Sequence, residues 1–134
     1  MTQVIDFGKS VLSSFSQSIS IPVAGSPSSN ALPEFGLATA QAGNVILNAS
    51  VGIQTVLGSP DFLFSILRGD TTIFTVKASA MAVKLYESYC FSYVDTNVPA
   101  GYFSYKLTVS IVNPSASNTA NLIGPVNFSG LSLG

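Results

Sequence analysis

The chain has no histidine, no tryptophan, one cysteine, and only five Lys or Arg and six Asp or Glu in 134 residues. Each shortage removes a class of function. Without histidine the usual general base and the commonest metal ligand are missing, so Cys90 has no imidazole to activate it as a nucleophile. A lone cysteine closes no intrachain disulfide. Cys90, inside the alternating run YESYCFSYV, reads as a small buried hydrophobe, with an intermolecular cross-link as the other reading. Lys9, Arg68, Lys77, Lys84 and Lys106 are scattered and make no cationic face, which argues against nucleic acid as a partner. No apolar run approaches the ~18 residues of a spanning helix, and the strands are too few and irregular for a transmembrane barrel, so no membrane partner is expected. Asp6 and Lys9 interrupt the N-terminus, and a chain made without a secretory signal is the expectation.

Charged residues are 8% of the chain, against roughly 25% in ordinary globular proteins, whereas hydrophobic residues are 47%. The surface must therefore be largely Ser, Thr, Asn and uncovered apolar groups. With a net charge of −1, copies barely repel one another, as suits a protein that assembles. The length fits one domain with a real core.

Period-two alternation, the mark of a strand with one face buried, runs through most of the chain. NVILNASVGI places Val45, Leu47, Ala49, Val51 and Ile53 on one face, and YFSYKLTVSIV does the same with Phe103, Tyr105, Leu107, Val109 and Ile111. DFLFSILR and TTIFTVKA flank Gly69-Asp70, a two-residue link that predicts a hairpin. AMAVKLYESYCFSYV is long for one strand, with a break or bulge expected near Glu87, and Pro125 and Gly130 mark bends near the C-terminus. Short strands without helical period predict an all-β antiparallel sandwich, a jelly roll by preference and immunoglobulin-like as second choice.

The run SSFSQSISIPV sets Phe15, Ile19, Ile21 and Val23 on one parity and serines on the other, predicting a half-buried strand over residues 13–23. A Ser/Pro/Gly/Asn-rich stretch follows. The predicted organisation is an N-terminal β arm (1–25), a linker (26–34) and a sandwich body (35–134).

Candidates for chemistry are few. Asp6, Glu34, Asp61, Asp70, Glu87 and Asp95 are the only carboxylates, and Asp61, Asp70 and Asp95 fall at expected strand ends or turns, where short acids cap backbone groups. No catalytic residue, cofactor or metal is expected. Asp95-Thr96-Asn97 offers oxygen ligands without the dense acidic cluster that calcium needs. Arg68-Gly69-Asp70 spells an adhesion tripeptide at a predicted hairpin tip, yet Gly69-Asp70 is already accounted for as a turn. The sequons at Asn48 and Asn127 lie inside predicted strands. Tyr86, Tyr89, Phe91, Tyr93, Tyr102, Phe103 and Tyr105 are read as cross-strand packing in the core or at subunit contacts, ahead of a sugar-binding platform.

FLFSILRGDTTIF, DTNVPAGYFSYKLTVSI and LIGPVNFSGLSLG, with the opening MTQVIDF, resemble small exosporium and spore-surface proteins of endospore-forming Firmicutes, of the exosporium protein C type. The resemblance implies a structural, non-enzymatic protein of the spore's outer layers or of filaments attached to them. It implies copies of itself, and other spore-surface proteins, as partners. The assembly mechanism expected on this reading is strand addition: an arm carrying Val4, Ile5, Phe7, Phe15, Ile19, Ile21 and Val23 pairs with an open sheet edge of a neighbour. A trimeric jelly-roll recognition module and a viral or phage capsid or decoration protein are the alternatives.

Overall fold

The computed structural model describes residues 3–134 and is all-β. Its strands are β1 (Val4–Ser13), β2 (Ile21–Pro22), β3 (Asn30–Thr39), β4 (Gly43–Leu57), β5 (Asp61–Arg68), β6 (Thr71–Ser79), β7 (Tyr86–Val98), β8 (Gly101–Ile111) and β9 (Thr119–Leu133). Sheet I runs β1-β9-β4-β7, with β2 also on β9, and sheet II runs β3-β8-β5-β6. All pairings between these strands are antiparallel. With β2 set aside and the eight long strands counted in chain order, sheet I reads 1-8-3-6 and sheet II reads 2-7-4-5. Two interlocked Greek keys of this order make a jelly roll.

The alternation read from the sequence is what fills the space between the sheets. Val45, Leu47, Ala49, Val51 and Ile53 of β4 are buried, opposite Tyr105, Leu107, Val109 and Ile111 of β8 and Phe62, Phe64 and Ile66 of β5. The β5–β6 hairpin turns at Gly69, whose φ of 61° suits a residue without a Cβ. β9 bends at Gly124-Pro125, where its register with β4 shifts between Val51 and Ile53.

The N-terminal third departs from expectation. The strand lies earlier than predicted, over Val4–Ser13, and it pairs with β9 of its own chain instead of reaching outward. Met1 and Thr2, part of the predicted arm, lie outside the described residues. Residues 14–20 form turns, and β2 then rejoins the same edge of β9 opposite Leu122 and Asn121. The interruption has two physical causes. Pro125 gives β9 no N–H at that point of the ladder. The serines also bond locally: Ser13 and Ser18 both donate to the carbonyl of Phe15, at 3.0 and 2.8 Å, offering the backbone an alternative to the sheet.

The predicted linker is likewise part of the body. Ser26 N–H donates to the carbonyl of Ile111 and Ile111 N–H to that of Ala24, both at 2.8 Å. Asn30 Oδ1 accepts from Ala24 N–H at 2.7 Å, and β3 begins at Asn30, inside the stretch expected to be flexible. The stretch is the crossing from one sheet to the other.

Candidate assembly surface

β1 carries its polarity inside out. Gly8 faces the core, since a Cβ there would lie 2.7 Å from the ring of Phe35, and Asp6 on the same parity accepts from Ala38 N–H of β3 at 2.9 Å. The opposite parity puts Phe7 and Val11 into solvent, Phe7 at 58% exposure. The register carries this outward face across sheet I: Phe7 pairs with Leu131, Leu131 with Ile46, and Ile46 with Val94. One apolar row therefore crosses all four long strands. The next row, Lys9, Ser129, Asn48 and Ser92, is polar, and the one after is Val11, Asn127, Ser50 and Cys90.

The residues expected to carry assembly separate into two groups. Val4, Ile5, Phe7, Phe15 and Ile21 are exposed, Phe15 most at 74%, and they gather at the β1 edge of sheet I and on the loop after it. Ile19 packs half-buried against the core and Val23 is buried at 8%, so these two belong to the subunit's own interior.

At the opposite edge, β7 and β6 are the last strands of their sheets and do not pair with each other. An aromatic ladder bridges the gap. Phe74 of β6 stacks on Tyr93 at 4.8 Å between ring centroids, and Phe64 lies 5.4 Å from both Tyr89 and Phe91. Tyr89, Phe91, Tyr93 and Phe74 are only half-buried. Burial, and then the hydrogen bond from its hydroxyl to Glu87, push the Tyr89 pKa above its ordinary value. The strand predicted over AMAVKLYESYCFSYV begins only at Tyr86. Residues 80–85 form a loop from which Met81, Val83 and Leu85 project into solvent, and Glu87 accepts from Met81 N–H at 2.9 Å.

Asp95 is not the exposed turn residue expected. It lies on β7, buried, and its Oδ2 accepts from Arg68 at 2.5 Å and from the Tyr105 hydroxyl at 3.0 Å, tying sheet I to the end of β5 and to β8. The hydrogen bond to Asp95 raises the Arg68 pKa, against a smaller lowering by burial; burial first, then the Asp95 charge, raises that of Tyr105. Arg68 is thus drawn inward while Asp70 stands fully in solvent, so the RGD triplet does not present its two charges together. Cys90 is exposed on the outer face of sheet I, not buried as expected, because β7 puts its aromatic parity inward. It lines a shallow open depression with Asn48, Ser50, Ser92 and Asn127, which holds the two sequon asparagines on neighbouring strands.

Sequence reasoning missed Val11, Ile46, Val94 and Leu131 as surface groups. The signal was present at one end only: in VIDFGKSV the apolar parity is the wrong one to be buried if Gly8 makes room for a ring. Among the described residues no group of three His, Cys, Asp or Glu is placed to hold a metal ion, and no helix is long and apolar enough to cross a membrane.

Comparison with known proteins supports the fold. No protein-family profile and no curated protein matches the chain. Among solved structures, 95% of it superposes on two from infectious bursal disease virus, the Gx strain at TM-score 0.59 and 12% identity and the VP2 subviral particle at 0.58 and 10%. It also superposes, over 96% of its length, on dimeric latent PorU from Porphyromonas gingivalis at TM-score 0.52 and 10% identity. The chain spans about a third of the viral chains (31% and 32%) and 12% of PorU. At these identities the likeness is one of architecture: the chain is a jelly-roll module.

Proposed function

We propose that this module is a structural subunit that assembles with copies of itself, and that its setting is the outer layer of a spore. One observation carries the assembly reading: sheet I leaves apolar groups uncovered at both of its edges. Val4, Phe7, Val11 and Ile21 lie on the β1 side, and Val94 with the half-buried Tyr89, Phe91 and Tyr93 on the β7 side, while exposed Phe15 sits on a loop that reaches across sheet I to Tyr86, whose hydroxyl accepts from Gln17 Nε2. Apolar surface at opposite ends lets one subunit join neighbours on both sides, and a surface so poor in charge does not hold them apart. The jelly roll of the VP2 subviral particle is a precedent for this architecture in an assembling protein. The spore setting rests on the sequence resemblance, and absence of a catalytic constellation is part of the same reading.

Sedimentation velocity over a range of concentrations tests the assembly. Oligomers that grow with concentration are expected, and a monomer at every concentration overturns the reading. Immunogold labelling of the source cells with antibody to the chain tests the setting: label on the spore's outer layer is expected, and label confined elsewhere overturns it.

A further inference from the structure

Among the described residues the two sheets end in four edges, one of them shared by β1 and the short β2, and three of the four are protected. β1 carries the outward Lys9 and loses register twice, at Ile5 and at Leu12. β3 carries Pro33 and Glu34 and bulges between Ala31 and Glu34. β6 carries Lys77 and bulges at Ile73. Charges, prolines and bulges are the devices that keep an edge from pairing with another chain. β7 has none of them over its middle. Its register with β4 is unbroken from Asp95 to Tyr86, and Ser88–Val94 contains no charge, no Pro and no Gly. The flanking acids are also engaged, Glu87 with Tyr89 and Met81 N–H, and Asp95 with Arg68 and Tyr105.

Resting on the assembly reading above, we propose that two copies of this chain pair antiparallel along β7, continuing sheet I through a two-fold axis at Cys90. A second copy fits this edge better than a different partner, because antiparallel pairing of a strand with itself matches like parity with like. The outward residues meet outward ones and the aromatic parity meets the aromatic parity. With the axis at Cys90, Tyr89 faces Phe91 of the other copy, giving two aromatic cross-strand pairs. Ser88 faces Ser92, and exposed Val94 faces exposed Tyr86, so the apolar row that starts at Phe7 ends covered. Moving the axis to Phe91 sets Glu87 against Asp95, a like-charge pair, and moving it to Tyr89 sets Glu87 against Phe91 and carries Val94 past the start of β7 to Lys84, so the axis falls at Cys90. Cys90 then lies opposite its counterpart at roughly 4.5–5.5 Å between Cα atoms, the spacing of directly opposed residues in an antiparallel pair. A two-fold contact closes a dimer, and the apolar β1 edge is left for the contact that extends it.

The test uses Ser88 and Ser92, both exposed on the outer face, so that their replacement leaves the subunit's own packing intact. In the S88K/S92K variant each lysine faces a lysine across the axis. Its dimerisation, read by sedimentation, should weaken by roughly tenfold or more, with the melting temperature unchanged when both proteins are measured at concentrations where they are monomeric. Mixing S88K/S92K with S88E/S92E should restore the dimer as a heterodimer. A short bis-maleimide should join Cys90 to Cys90 in the wild type and not in the lysine variant. Wild-type protein that associates while both variants associate equally well overturns the β7 contact and leaves self-assembly standing. Wild-type protein that stays monomeric overturns both. A dimer sensitive to the lysines but not bridged at Cys90 overturns the position of the axis.

Discussion

The two flanks of the sandwich are closed by different means. At the β1–β3 flank, glycines let the sheets come together. Gly8 and Gly130 make room for the ring of Phe35, to which a Cβ at Gly130 would approach within 2.8 Å, and Phe35 packs on Phe128 at 4.9 Å. At the β6–β7 flank no glycine faces the gap, and bulky rings hold the edges apart while staying half in water. The first flank is an interior, and the second is an interior waiting for a cover. The subunit's own stability lies in the first flank, and its capacity for contact in the second.

Truncating one ring on each flank gives the largest expected contrast. Phe35→Ala should cost about 3–5 kcal/mol, the usual range for a buried phenylalanine replaced by alanine. Phe74→Ala, at a half-buried ring, should cost about 1–2 kcal/mol by the smaller area it removes from water. Urea unfolding of the two variants at low protein concentration measures both. Equal costs would mean that the β6–β7 flank is as much a core as the other.

The open flank is held at one end by the Asp95 cluster rather than by packing. Asp95→Asn removes the charge that faces Arg68 and Tyr105, and should cost about 3 kcal/mol because it strands a partly buried guanidinium. Glu34→Gln, at a pair where Lys106 lies 3.7 Å away and both side chains are well exposed, should change stability by under about 0.5 kcal/mol. Thermal melts of both variants decide it; a small loss at Asp95 would leave the aromatic ladder as what holds that flank.

The sequence was legible wherever one face of a strand is simply inside. The parities of β4 and β8 were read residue by residue, and the β5–β6 hairpin was placed by Gly69-Asp70. Legibility failed where burial depends on what a distant strand offers. Residues 14–20 alternate as well as any strand, but their partner β9 has Pro125 opposite the break, over a hundred residues away in the chain. Cys90 and Asp95 were misplaced for a related reason. Alternation says that successive residues of β7 face opposite ways, and not which way is in; the half-buried rings of Tyr89, Phe91 and Tyr93 settle that against Phe64 and Phe74. Val4, Ile5 and Phe7, expected on an arm that reaches a neighbour, are exposed on a strand that spends its backbone hydrogen bonds on its own chain.

The smallest effect concerns alkaline pH and compares the same chemical group in the two environments. Burial raises the pKa of Tyr105, wholly inside, and of Tyr89, on the open flank, above the ordinary value of 10.0 that each has when unfolded. A raised folded pKa means that the unfolded chain gives up its proton first, so the contribution is fully present below about pH 10 and is lost as pH rises above it. Melting temperature should therefore fall as pH rises above about 10. Tyr89→Phe removes one of these two raised groups and should make that fall shallower while leaving neutral-pH stability within about 1 kcal/mol of wild type. Association at the β7 edge covers Tyr89 further, so the difference between wild type and Tyr89→Phe should widen with protein concentration. A slope identical in the two proteins at every concentration would mean that the open flank is already wet enough for Tyr89 to ionise in the folded subunit.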